Sequence, residues 1–223
     1  MPYGQEQRYE VAVQPPSMFL TRGAVTLILL MIAGYILFCL RQQFMQEQFE
    51  LDPSAVLHGR VWQLATYLFV DESGGSLVMN CICVLFVGGM LEREWRTRSF
   101  ITLWFVAGIS CALIWMAVSM VVQAVSNMEL PRGYSAASAV YGLLGALALA
   151  FRRRRLFFGI EVQYVVLGLV IISMLMAIPY LFMWIWLAGA GVGYLYVWLI
   201  WRLREGFSRG GKPAQQGRFK DLG

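Results

Sequence analysis

Residues 134–145 read Y-S-A-A-S-A-V-Y-G-L-L-G, a run in which Ala136, Ala137, Ala139, Gly142 and Gly145 carry almost no side-chain bulk. Small residues at helical spacing let neighbouring backbones approach closely in lipid, where packing rather than apolar burial drives association. The stretch therefore predicts the start of a central, closely packed helix over 135–151. Ser135 stands where a hydroxyl would cap the first-turn amides that a helix leaves unsatisfied. A second stretch, W-L-A-G-A-G-V-G at 186–193, carries Gly189-x-x-x-Gly193, another close-packing surface.

The composition around these stretches excludes a water-soluble domain. Of 223 residues, 59% are hydrophobic and only 14% charged, and mean hydropathy is +0.61. Each crossing of a bilayer needs roughly 20 apolar residues. Apolar runs at 24–40, 76–91, 100–125, 135–151, 163–178 and 184–203 predict an all-α polytopic membrane protein with six transmembrane helices. Residues 41–65 interleave Phe44, Met45, Phe49, Leu51 and Trp62 with polar groups, the pattern of a segment lying in the membrane interface. The run at 76–91 is short and follows Asp71-Glu72-Ser73-Gly74-Gly75, so its helix is expected to begin below the membrane surface, where polar groups need protein or a wet cavity around them. The expected division is a polar N-terminal tail at 1–22, a membrane domain at 23–203 and a basic, unstructured tail at 204–223. The proline-bearing first 22 residues, with no A-x-A-like exit after the first apolar run, read as a tail and not as a cleaved signal.

The net charge of +5 does not indicate nucleic acid, because the basic residues lie between apolar runs. Fifteen of the 18 lysines and arginines, including Arg152–Arg155 and the C-terminal set, fall on one side of the six-span arrangement; only Arg41, Arg60 and Arg132 fall on the other. Both termini are therefore expected in the cytoplasm. Cys39, Cys81, Cys83 and Cys111 all sit inside apolar runs and read as small buried hydrophobes, with neither a disulfide framework nor a metal site indicated. No cofactor is expected. Glu92 with Arg96 and Glu94 with Arg98 are spaced as surface helical pairs, worth only about 0.2–0.5 kcal/mol each.

Three motifs together resemble the rhomboid family of intramembrane serine proteases. The family's fourth helix opens G-x-S-G-x-x-x-G; here Ser135 takes the first glycine, Ala137 the nucleophilic serine and Ser138 the next glycine, with Tyr141 and Gly142 following. Its sixth helix carries H-x-G-G-x-x-x-G, and Trp186 stands at the histidine, with Gly189 and Gly193 kept. Its second helix begins H-x-x-x-N; Ser76 replaces the histidine and Asn80, a family oxyanion stabiliser, remains. G-R-V-W-Q at 59–63 resembles the family's loop-one W-R, with Gln63 for the arginine, and L-E-R-E-W-R-T-R-S-F at 91–100 resembles L-E-R-x-W-G-S-x-x-F.

The resemblance implies a six-helix bundle in which Gly142 and Gly145 pack against Gly189 and Gly193. It also implies a pseudoprotease, since serine catalysis needs a hydroxyl within reach of a base. The single histidine, His58, lies in loop one, and no membrane-embedded base is apparent for Ser135 or Ser138. The indole of Trp186 is expected to lean over Ala137 against Tyr141 and plug the former active site. What the resemblance leaves as function is recognition of transmembrane segments of other integral membrane proteins, for quality control or regulation, with membrane lipid as the other partner. The alternative is a structural or assembly subunit of a larger membrane complex. The resemblance further implies a bacterial inner membrane, since bacterial rhomboids typically have the same orientation with both ends inside. Single-cysteine labelling of sealed cells should find the 152–155 loop and the C-terminal tail shielded and positions near His58 reactive; labelling of the C-terminus from outside would contradict this topology.

Overall fold

The computed structural model describes residues 20–71, 73–126, 135–151 and 183–208, with helical pieces at 164, 166–168 and 171; for 183–186, 201 and 203–208 it describes the backbone alone. Among the described residues the chain is helical with no β-strand. Helix α1 spans Arg22–Leu40. Loop one follows as α2 (Gln42–Phe49), α3 (Pro53–Leu57) and α4 (Gln63–Thr66), which tightens into a 3-10 turn at Tyr67–Phe69. Helix α5 (Gly74–Cys83) passes through a π-helical turn at Val84–Gly88 into α6 (Gly89–Ser126). Helices α7 (Ala137–Ala150) and α8 (Met183–Ser208) complete the described elements.

Helix α1 and the continuous path Gly74–Ser126 are long and apolar enough to cross a membrane, and Ala137–Ala150 and Leu187–Ile200 are shorter apolar helices. Large apolar side chains stand exposed on these helices: Leu29 and Ile36 on α1, Val78 and Met79 on α5, Val121 on α6, Leu195 on α8. Such surfaces suit lipid and not water. The expected spans at 76–91 and 100–125 are joined without a loop, and the 41–65 segment is three short helices. One boundary shifts. Helix α8 continues to Ser208, so the segment read as an unstructured tail from residue 204 begins as helix. The span expected at 163–178 lies outside the described residues except for its short helical pieces.

Local chemistry explains the turns. Asp52 caps α3, its Oδ1 accepting from the Ser54 and Ala55 amides at 2.9 and 3.3 Å, with Pro53 at the first helical position where its missing N–H is no loss. Ser73 caps α5 in the same way, Oγ accepting from Gly75 and Ser76. The path from α5 into the long part of α6 kinks at Arg96, whose φ of 68° breaks the helix. The expected surface pair between Glu92 and Arg96 is thereby replaced. Glu92 is buried, and its carboxylate accepts from the amides of Gly23 (2.8 Å) and Ala24 (2.9 Å) and the hydroxyls of Thr21 and Thr97, fixing the start of α1 to the bend.

The core is built on α7, whose Ala137–Gly142 face and Leu143–Leu147 turn are buried between α6 and α8. Close approach here requires glycine. A methyl group on Gly193 would lie 1.8 Å from the Gly142 carbonyl oxygen, and one on Gly145 would lie 1.9 Å from the Ala190 carbonyl oxygen. Gly189 in turn faces the Ser138 carbonyl oxygen, 2.2 Å from where its Cβ would be. The cysteines divide by position: Cys111 is buried beside this contact, Cys81 and Cys83 are half-buried, and Cys39 is exposed on α1, against the expectation that all four are buried. Replacing Gly193 by valine should destabilise the bundle by at least about 1–3 kcal/mol, read as a lower unfolding midpoint in detergent micelles; a midpoint equal to that of the wild type would mean that α7 and α8 do not meet here.

Candidate functional site

Beneath loop one, three segments bring polar side chains into an otherwise apolar interior: the 3-10 turn with the connector that follows it, the first turns of α5, and the start of α7. Tyr67, on the 3-10 turn, is buried, and its hydroxyl donates to the Gly108 carbonyl on α6 at 2.7 Å. With that proton committed, the 2.9 Å contact with Ser138 Oγ on α7 has the serine donating and the phenol accepting. Burial pushes the Tyr67 phenol well above its usual range, against the effect of the Ser138 hydrogen bond.

Asp71 lies in the connector just before α5 and is 1% exposed. Its Oδ1 accepts from Ser76 Oγ at 3.0 Å and from Asn80 Nδ2 at 3.2 Å, with Oδ2 3.4 Å from the same amide. Ser135 also hydrogen-bonds to this carboxyl. The Ser135 hydroxyl oxygen accepts from the Ala137 amide at 3.1 Å and stands 3.5 Å from Asn80 Nδ2, so its own proton is directed to Asp71. Asn80 Nδ2 is thus shared among more oxygens than its two hydrogens serve fully. Among the described residues no basic side chain pairs with Asp71. Its burial raises the carboxyl above its usual value, and the hydrogen bonds from Ser76, Ser135 and Asn80 offset only part of that.

The sequence-derived positions therefore divide as follows. Ser76, Asn80 and Ser135 come together around Asp71, a connector residue that none of the quoted motifs contains. Ala137 is buried on the first turn of α7 and offers only its amide, already bound to Ser135. Ser138 is tied to Tyr67. Ser135 and Ser138 each have an embedded polar partner, a carboxyl and a phenol. Tyr141 is half-buried against the core. The side chain of Trp186 lies outside the described residues, so the plug over Ala137 does too; its backbone sits one turn before Gly189, which abuts Ser138. His58 is exposed on loop one with Nδ1 2.6 Å from the Ser54 carbonyl oxygen. Gln63 is fully buried; its Oε1 accepts from the Asp52 amide and its Nε2 donates to the Glu47 carbonyl, both at 3.2 Å, tying α2 to α3 and α4.

Backbone conformation adds an independent observation. Among the described residues only Arg96 and Ser135 have positive φ without being glycine, at 68° and 120°. Each holds a position where the quoted motifs carry glycine. Such conformations in residues with a Cβ cost on the order of 1–3 kcal/mol and persist where the surroundings hold them, as the Ser135 hydroxyl is held by Asp71 and the Ala137 amide.

The exposed apolar helices and the polar cluster buried under an interfacial loop define a helical integral membrane protein with an internal polar site. A family model, the rhomboid domain, matches residues 58–203, and the chain belongs to the rhomboid family. The matched region takes in the Tyr67, Asp71, Asn80 and Ser135 cluster and the α7–α8 contact.

The raised Asp71 carboxyl has a definite consequence for stability. Between its ordinary value of 3.8 and its higher folded value, the native state keeps a proton that the unfolded chain has released, so stability falls as pH rises through that window and levels off above it. Asp71→Asn should remove this component. Unfolding measured from acid to neutral pH should show the variant gaining on the wild type as pH rises; parallel profiles would contradict a buried carboxyl.

Proposed function

We propose that this rhomboid-family protein lacks peptidase activity and binds transmembrane segments of other membrane proteins, crossing a bacterial inner membrane six times with both termini in the cytoplasm. The observation that carries the reading is the chemical state of the site. Position 137, aligned with the family nucleophile, is a methyl group, position 186, aligned with its histidine, is an indole, and the nearby hydroxyls of Ser135 and Ser138 are engaged in structural hydrogen bonds. A serine activated for attack needs a base that takes its proton and a free acceptor site for the developing oxyanion. Here the Asn80 amide and Ser76 hydroxyl are directed to Asp71 instead.

Support for segment binding comes from α5. Val78, Met79 and Ile82 are exposed on it and Phe86 on the π-helical turn that follows, while Asn80 is buried and Ser76 half-buried on the same helix. The π-helical turn at Val84–Gly88 departs from regular helix, a feature frequent at functional sites. A membrane segment that packs on this face with an imperfect helix would bring its polar backbone near Ser76, where hydrogen bonding compensates groups that lipid cannot satisfy.

In liposomes, a single-span peptide interrupted by a central Gly-Asn-Gly should bind at least about tenfold more tightly than its all-leucine counterpart, a difference of about 1.4 kcal/mol, and Ser76→Leu should abolish the preference. Equal binding of the two peptides, or none, would favour the structural-subunit reading. A fluorophosphonate probe should leave the protein unlabelled. Labelling that disappears in Ser135→Ala or Ser138→Ala would overturn the loss of peptidase activity.

A further inference from the structure

We propose that the apolar wedge between the end of α1 and the interfacial helix α2 binds one anionic phospholipid, with an acyl chain in the wedge and the phosphate on Arg41. The wedge is a cavity of about 230 Å³ lined by Leu37, Arg41, Phe44, Met45 and Phe49. It exists because the chain changes direction at Arg41, whose φ of −140° and ψ of 56° end α1 and allow α2 to start at the next residue. Met45 is its buried wall and packs with Phe38 and Val70. The rings of Phe44 and Phe49 form a second wall, their centroids 6.1 Å apart and their planes tilted by 59°. Four of the five lining side chains are apolar, so water inside would find no partner on them. Around the wedge Leu37, Leu40 and Phe44 are exposed, the surface that a membrane protein turns to lipid. An acyl chain is the apolar occupant such a surface meets.

The one charged lining residue sets the class of lipid. Arg41 is exposed, and among the described residues no carboxylate pairs with it and no hydrogen bond engages its side chain. Arg60, by contrast, is committed to the Glu47 carbonyl at 2.9 Å. The acids of loop one stand elsewhere: Glu50 is buried, and Glu47 lies in the last turn of α2. The start of α2 adds to the positive sign, since no side chain caps it and the helix dipole is positive at that end. A guanidinium beside an apolar slot matches a phosphodiester above its acyl chain, and arginine binds phosphate through paired N–H groups. A zwitterionic lipid carries its own cation next to the phosphate and gains less from Arg41. This inference rests on loop one alone and stands whether or not the protein binds membrane segments.

Native mass spectrometry of the full-length protein in micelles, titrated with dioleoyl phosphatidylglycerol or the matching phosphatidylcholine, tests it. Wild type should retain phosphatidylglycerol with about fivefold preference, the effect of one cation near a lipid surface. Arg41→Gln should erase the preference and Arg41→Lys should keep most of it. Leu37→Trp, which fills the wedge from an exposed position, should weaken retention of both lipids, whereas Leu195→Trp on the exposed face of α8 should change neither. Glycerol 1-phosphate, which has the headgroup chemistry without a chain, should not compete. Equal retention of the two lipids by wild type, a preference that survives Arg41→Gln, Leu37→Trp behaving like Leu195→Trp, or competition by glycerol 1-phosphate would overturn the proposal. So would a Leu37→Trp variant that shifts the balance of monomer and dimer and leaves lipid retention intact, the sign of a second copy in the wedge.

Discussion

The structure depends first on the backbone contact between α7 and α8. At Gly145, Gly189 and Gly193 the two helices stand so close that a single methyl group would collide with carbonyl oxygen. In lipid, where apolar side chains gain little by leaving their surroundings, such contact surfaces supply the cohesion that water would supply in a soluble core. The contact also fixes function-bearing positions. Gly189 rests on the Ser138 carbonyl, and so the start of α7, with Ala137 and Ser138, is pinned against the α8 turn that follows position 186.

From that pinned helix start the polar network spreads outward. Ser138 binds Tyr67 and through it α6; Ser135 binds Asp71 and through it α5. Loop one is thus joined to three helices by hydroxyls and one carboxyl, in an interior where each unsatisfied polar group would carry a penalty of several kcal/mol. A buried carboxyl without a cationic partner among the described residues is unusual, and its donors compensate it incompletely. Its burial is intelligible if the same donors would otherwise stand unpaired. At the opposite end of α1, Glu92 plays a comparable part for the bend at Arg96, with hydroxyls and amides as its partners.

Much of this was legible in the sequence because it follows from local pattern. Small residues at 136–146 and 189–193 announce close packing wherever they occur in an apolar helix, and the cap at Ser135 follows from its place before the first turn. Asp71 was not legible. It sits in an ordinary polar connector, and its partners Ser76, Asn80 and Ser135 come from two other segments whose approach only the fold decides. Glu92 was misread for a related reason: helical spacing pairs it with Arg96, but the break at Arg96 cancels that spacing and turns the carboxylate toward α1. The two strained residues show how a departure from a motif carries information. Arginine and serine at positions written as glycine keep glycine's backbone conformation, and at Ser135 the added hydroxyl is the group that joins the Asp71 cluster.

The central claim is that Asp71 and Asn80 act as one unit inside the membrane domain, taking up the donors that would otherwise face the interior. A double-mutant cycle of Asp71→Ala, Asn80→Ala and the combined variant, by equilibrium unfolding in micelles at neutral pH, tests it most directly. Direct contact predicts a coupling energy of about 0.5–3 kcal/mol, with the double variant less destabilised than the sum of the single ones. Additive effects within about 0.3 kcal/mol would contradict the account.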